Sequence, residues 1–237
     1  MKSRPFSTLF LLTSLDGKIS SGAGDHLDVD ADWKRIVGVR EGLNQYYALE
    51  QETDLFSLNS GKVWAKIGFN DRKDEPAKTP VTFIVVDNKP HLTTAGVLYA
   101  AKKAKNLIIV TENEHHPANE VKTSCDNISV LHYPGRIDLR NMMRKLNEIY
   151  GVDRITIQTG GALNAELLRA GLIDRVQIVV APILVGGSET PSLIDGKSLV
   201  STNELSSLKA LKLRSNRTLE NSYIVLEYDV ISETTII

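Results

Sequence analysis

The chain has 237 residues, of which 42% are hydrophobic and 24% charged, with a formal net charge of -1 at neutral pH. This is ordinary composition for a globular protein, and the near-zero charge excludes the basic footprint that nucleic acid or an anionic membrane would need. The single cysteine, Cys125, rules out an internal disulfide, no apolar run approaches the ~20 residues of a membrane span, and the start lacks a secretory leader, so a cytoplasmic protein without nucleic-acid or membrane partners is expected.

In chain order, an apolar strand is predicted over residues 6–12, followed by an irregular glycine-bearing loop over 13–24. Residues 32–50 carry helix formers of mixed polarity, with Asp32 placed to cap them. A short strand over 54–58 leads through Ser60-Gly61 into another helix, and the polar stretch 70–80 reads as a surface loop. The run VTFIVVD, 81–87, is continuously apolar, as in a strand buried on both faces of a parallel sheet. A helix over 95–103 and strands over 106–111 and 128–131 follow, then a helix over 139–150 with Met142, Met143, Leu146 and Ile149 on one side. A strand over 155–157 runs into Gly160-Gly161 and a helix bearing Leu163, Leu167 and Leu168, and another strand covers 176–181. Two alternating strands near 208–214 and 222–230 suggest an antiparallel edge.

This alternation predicts an α/β fold with a doubly wound, mostly parallel central sheet and antiparallel C-terminal strands. With no internal repeat and no low-complexity linker, a single domain over 1–237 is expected, with a frayed tail at 232–237.

The most informative stretch is RITIQTGGALNAELLRAGLIDRVQIVVAPILVGG, beginning at Arg154. A glycine pair between a buried strand and a helix permits close approach of a ligand and leaves the first helical amides facing outward, a site suited to a diphosphate. There is no G-x-G-x-x-G fingerprint, so an ordinary dinucleotide turn is absent. The segment SLNSGK, 57–62, is a second strand-to-helix turn, with Lys62 able to act as a point charge on a phosphate, but it lacks Walker spacing. TSLDG, 13–17, is a third glycine-bearing loop beyond a strand's carboxyl end, where ligands of α/β sheets bind. The alternating Asp28, Asp30 and Asp32 lack the pattern of a calcium loop. The five histidines, His115-His116 among them, lack zinc spacing and read as surface residues. No metal site and no nucleophile emerge.

TSLDGKIS near the start, QTGGALNAELLRAGLID and APILVGG together resemble the reductase domain of the bifunctional riboflavin-biosynthesis protein RibD, over roughly residues 5–230. No deaminase-type zinc motif precedes them, so the resemblance is to a stand-alone form. It implies a dihydrofolate reductase-like fold and an NADPH-dependent reductase that converts a phosphoribosylamino-pyrimidine, a small-molecule substrate, to its ribityl counterpart by reduction at C1′. Carried over by position, Thr13 would lie near the nicotinamide with Asp16 and Gly17 shaping that loop, and Trp33 would contact the cofactor. Gly160, Gly161, Ala162 and Leu163 would wrap the diphosphate, while Ser60, Gly61 and Lys62 would also approach the cofactor. Asn88 matches a position beside the 2′-phosphate, where Lys62 or Lys89 would supply a positive charge. Gln158 stands where the family often has a substrate-contacting glutamate. Proton delivery would come from water or from Asp16, and a homodimer through the terminal strands is expected. The alternatives are a catalytically degenerate nucleotide-binding module and a folate- or carbonyl-type reductase on the same scaffold.

Overall fold

The computed structural model describes residues 4–231 and 233–236. In chain order, strand β1 (Phe6–Thr13) is followed by helix α1 (Val29–Asp32), a single 3-10 turn at Trp33–Arg35 and helix α2 (Asn44–Glu50). Then come β2 (Phe56–Ser60), α3 (Gly61–Lys66), β3 (Thr82–Val86), α4 (Thr94–Lys103), β4 (Asn106–Thr111), α5 (Ala118–Val121), β5 (Ile128–His132), α6 (Leu139–Tyr150) and β6 (Arg154–Ile157). Helix α7 (Gly161–Arg169), β7 (Arg175–Val180), β8 (Leu211–Thr218) and β9 (Ile224–Val230) complete the order. No helix among the described residues is long and apolar enough to cross a membrane.

The chain divides into two compact units, Met1–Pro5 with Asp54–Thr159 and Phe6–Thr53 with Gly160–Ile237. In the first, β5, β4, β3, β2 and β6 pair in that order, every pair parallel. The continuously apolar run after residue 80 is β3, with Ile84 and Val85 fully buried, as a strand covered on both faces requires. The core of this unit gathers Trp64, Phe69, Val85, Leu92, Val97, Leu107 and Ile109. Helix α6 has the bounds read from the sequence because both ends are marked. Asp138 accepts from Asn141 N at 3.0 Å, and Gly151, at φ +65°, closes the helix through bonds to Asn147 and Leu146. Met142, Met143 and Leu146 are buried as expected, whereas Ile149, on the same face but in the last turn, is exposed.

In the second unit β1 pairs parallel with β7, while β9 pairs antiparallel with both β7 and β8. The predicted antiparallel C-terminal pair is present, although β8 starts three residues later than expected and carries an irregularity between Leu213 and Ser215. The predicted helix over 32–50 is broken. Asp28, not Asp32, caps α1 through Asp30 N at 2.8 Å, and Gly38, at φ +88°, turns the chain before α2. Gly42 is needed for a second reason: a Cβ there would stand 2.6 Å from the ring of Tyr223. That buried tyrosine donates to Val39 O at 2.7 Å, so helix periodicity yields to packing around one ring. In the tail, the Thr234 hydroxyl donates to Leu208 O, and residues 232 and 237 lie outside the described set.

Candidate active site

The loop after β1 is organised by Asp16. Its carboxylate accepts from Ser14 Oγ at 2.5 Å, Val185 N at 3.1 Å and Gly186 N at 2.7 Å, joining this loop to the one after β7. Gly17 makes the turn at φ +76°, a conformation open chiefly to glycine, and Thr13 ends β1 with its carbonyl accepting from Ala181 N at 2.8 Å. The bond from Ser14, with those from Val185 and Gly186, pulls the Asp16 carboxyl down to about 2. Asp16 thus ties the loop after β1 to the loop after β7. The expectation for Trp33 is corrected. Its indole is wholly buried among Phe10, Val39, Leu43, Tyr46 and Tyr223, and its Nε1–H finds no acceptor among the described residues. As placed it is a core side chain with no surface to offer a cofactor.

In the same unit, Gly160 caps α7 with extended backbone (φ -74°, ψ 159°) and has no side chain with which to satisfy the first amides. Ala162 is exposed and Leu163 half-buried, and no side chain caps this nine-residue helix. Gly161 is different. A Cβ there would stand 2.2 Å from Ser192 O and 2.4 Å from Asp195 Oδ2, so its glycine is dictated by the chain's own loop. Asp195 accepts from Ser192 N and Oγ, which keeps a negative charge beside the first turn.

In the other unit, Ser60 caps α3 with extended backbone but without a side-chain bond, and Lys62 is exposed. Gly61 again abuts a carboxylate: a Cβ there would meet Asp87 Cγ at 2.2 Å. Asp87 is the buried hub of the β3 end. It accepts from His91 N at 3.1 Å, His91 Nδ1 at 2.8 Å, Leu92 N at 3.0 Å and His116 Nε2 at 3.1 Å. Burial pushes its carboxyl up, but the bonds from His116, Leu92 and His91 outweigh it and hold the group below its ordinary range. His116 accepts from Ala118 N through Nδ1, which fixes its Nε2–H tautomer. The reading of all histidines as surface residues is thus wrong for His116, which is fully buried. Asn88 donates from Nδ2 to Glu112 at 3.1 Å, while its buried Oδ1 has no donor among the described residues. Lys89 next to it is exposed, and neither Lys62 nor Lys89 has an ion-pair partner among the described residues.

Gln158 follows β6 and hydrogen-bonds through its backbone to β2, with Gln158 N donating to Leu58 O at 2.8 Å. Its Oε1 accepts from Ser57 Oγ at 2.9 Å, Ser57 Oγ accepts from Asn59 Nδ2 at 2.9 Å, and Asn59 Oδ1 accepts from Trp64 Nε1 at 3.2 Å. The sequence reading missed Ser57 and Asn59. Their signal was available: polar residues two apart on a strand share one face, and here that face is buried.

The pattern of the RibD C-terminal domain fits residues 5–225, nearly the whole chain. The chain belongs to the RibD C-terminal domain family. A relative from Methanothermobacter thermautotrophicus, named 2,5-diamino-6-ribosylamino-4(3H)-pyrimidinone 5′-phosphate reductase, is 27% identical, covering 96% of this chain and 99% of its own. Among solved structures, Acinetobacter baumannii RibD superposes with a TM-score of 0.66 at 16% identity, over 97% of this chain and 59% of that one. A Thermotoga maritima protein named as a diaminohydroxyphosphoribosylaminopyrimidine deaminase/5-amino-6-(5-phosphoribosylamino)uracil reductase superposes with a TM-score of 0.61 at 15% identity, over 97% and 58%. The chain thus spans under two thirds of these two proteins, and the likeness to them is one of fold, the dihydrofolate reductase-like α/β arrangement of RibD reductase domains.

Proposed function

We propose that this RibD C-terminal domain protein is an NADPH-dependent reductase of the riboflavin-biosynthesis type, acting on a phosphorylated pyrimidine ribosylamine. The observation that carries the reading is the first turn of α7, where Ala162 and Leu163 stand behind a side-chain-free cap, a donor set suited to a diphosphate. The family match over residues 5–225 and the relative named as a pyrimidinone phosphate reductase agree with it. When bound, the reduced nicotinamide supplies a hydride; the protein supplies orientation and electrostatics.

Asp16 holds the loops after β1 and β7 in register, which keeps Thr13 and Gly17 fixed for a ligand at the carboxyl end of β1. Gln158 is the residue for the pyrimidine ring. Lys62 and Lys89, both exposed and unpaired among the described residues, are the cations for a 2′-phosphate, and the orphan Asn88 Oδ1 is an acceptor beside Lys89 in the chain. Water delivers the proton that completes reduction at C1′, since the Asp16 carboxylate is engaged by Ser14, Val185 and Gly186. Every residue of β8 is exposed, and pairing of that edge with its copy in a two-fold homodimer is part of the reading, as is a cytoplasmic location.

The test follows reduced-nicotinamide absorbance with a panel of phosphoribosylamino-pyrimidines, dihydrofolate and simple carbonyls. Consumption with the pyrimidines alone is expected. Cofactor binding without turnover on any compound would make the chain a nucleotide-binding module, and no binding at millimolar cofactor would overturn the proposal outright.

A further inference from the structure

The two imidazoles on Asp87 are not equivalent. His116 is wholly buried and uses both nitrogens, Nε2 donating to Asp87 Oδ2 at 3.1 Å and Nδ1 accepting from Ala118 N at 3.1 Å. His91 reaches Asp87 Oδ1 through Nδ1 at 2.8 Å, and its side chain is 37% exposed while that of Asp87 is wholly buried. Burial pushes the Asp87 carboxyl up, but the bonds from His116, Leu92 and His91 hold it below its ordinary range, so it is ionised at neutral pH. A carboxylate only accepts, so Nδ1 of His91 carries the proton. With Nδ1 turned inward, Nε2 lies on the exposed edge of the ring and has no partner among the described residues. The neutral ring therefore offers a lone pair at Nε2, an acceptor for a hydroxyl. A second proton turns the same atom into a charged donor, suited to a phosphate oxygen.

His91 stands among cations arranged around the same carboxylate. Lys89 lies in the turn that Asp87 closes by accepting from His91 N at 3.1 Å and Leu92 N at 3.0 Å. Lys62 follows Gly61, where a Cβ would meet Asp87 Cγ at 2.2 Å, and both lysines are exposed. Of the other charged groups, Glu112 accepts from Asn88 Nδ2 of this turn at 3.1 Å, and Asp71 and Arg72 follow Asn70, whose Nδ2 donates to His91 O at 2.8 Å.

We propose that His91 is a binding residue that couples the choice between NADPH and NADH to protonation: its imidazolium donates from Nε2 to the 2′-phosphate, and its neutral ring accepts the 2′-hydroxyl of NADH. This rests on the reductase reading above, in which Lys62 and Lys89 receive that phosphate. The ratio of NADPH to NADH affinity then rises about threefold to tenfold as pH falls from about 8 to about 6.

The experiment titrates both cofactors calorimetrically across that pH range into wild type, His91→Asn and His91→Gln, with a melting curve for each. An asparagine places Nδ2 where the imidazole has Nδ1, so His91→Asn keeps the bond to Asp87 and loses the ligand contact. Its melting temperature stays near that of wild type, and its affinity ratio loses the rise seen in wild type. A glutamine reaches the Nε2 position instead and donates at every pH, so His91→Gln melts lower yet holds a high ratio that also lacks the rise. The second proton of the phosphate itself, lost near about pH 6, titrates alike in all three proteins, so the difference between them isolates the imidazole. In wild type, NADPH binding takes up part of a proton, read from the dependence of the heat on buffer ionisation, beyond what His91→Asn takes up. A merely structural role would shift melting temperatures and leave the pH dependence of the ratio alone. The same pH dependence in wild type and His91→Asn, or a wild-type ratio that is level or falls toward acid, overturns the inference and leaves the reductase reading standing. Failure to bind either cofactor at any pH overturns both.

Discussion

The turns at Ser60-Gly61 and Gly160-Gly161 look alike in sequence, each ending a buried strand and opening a helix, yet they are built for different ends. At the first, Asp87 fills the space beside Gly61 and is saturated by four donors, two of them imidazole nitrogens. At the second, Asp195 is held, among the described residues, only by Ser192, and no side chain caps the nine-residue α7 behind it. Helix α3 has only six residues, so its end charge is weaker as well as closer to a fixed anion. A strand-glycine-helix turn is therefore not by itself an anion site; what the neighbouring loop has already placed there decides.

The sharpest break of that comparison is Gly61→Ala. The added Cβ displaces a buried carboxylate whose four partners cannot follow it, and the cost is about 3–5 kcal/mol, read by chemical denaturation. Gly161→Ala meets a backbone carbonyl at 2.2 Å, but the 192–195 loop is at the surface and can shift, so about 2–3 kcal/mol is expected, accompanied by weaker cofactor binding. Gly61→Ala retaining wild-type stability would refute the picture of a saturated hub.

Acid sharpens the same contrast. Because hydrogen bonds depress the folded-state value of Asp87, its contribution is present above the unfolded carboxyl range near about pH 4 and is lost as pH falls through the lower folded value. Denaturation of wild type should steepen in that window, and Asp87→Asn, already less stable at neutral pH, should lack that part of the slope. An identical acid slope in the two proteins would contradict it.

Smaller effects belong to the loop after β1 and to the surface cations. Asp16→Asn should lower kcat about tenfold by loosening the link to Val185 and Gly186, with the shape of the pH–rate profile unchanged between about pH 5 and 9. Loss of a titration in that profile would restore Asp16 as a proton donor. Lys62→Ala should weaken NADPH binding about threefold to tenfold in a direct titration and leave NADH untouched, as befits an exposed charge. Equal wild-type affinities for the two cofactors would remove the NADPH assignment.

Much of the fold was legible because buried strands and capped helices write themselves locally: the apolar run of β3, and α6 between Asp138 and Gly151. The failure over residues 32–50 has a long-range cause, since Tyr223 reaches back to Val39 and excludes a side chain at position 42. The Gly-Gly turn was legible as a strand-to-helix turn without a side-chain cap, but the crowding at Gly161 was not, because that glycine answers to a loop thirty residues on. Trp33 was misjudged for the same reason: burial is set by neighbours that sequence distance conceals. The role of Asp16 turned on amides at 185 and 186, which no local pattern announces.

The most direct test is an amide nitrogen–proton spectrum of the labelled protein titrated with NADPH. Saturable shifts of the Ala162 and Leu163 amides, larger than those of the α3 amides, are predicted. Saturable binding that leaves Ala162 and Leu163 unmoved would contradict the account.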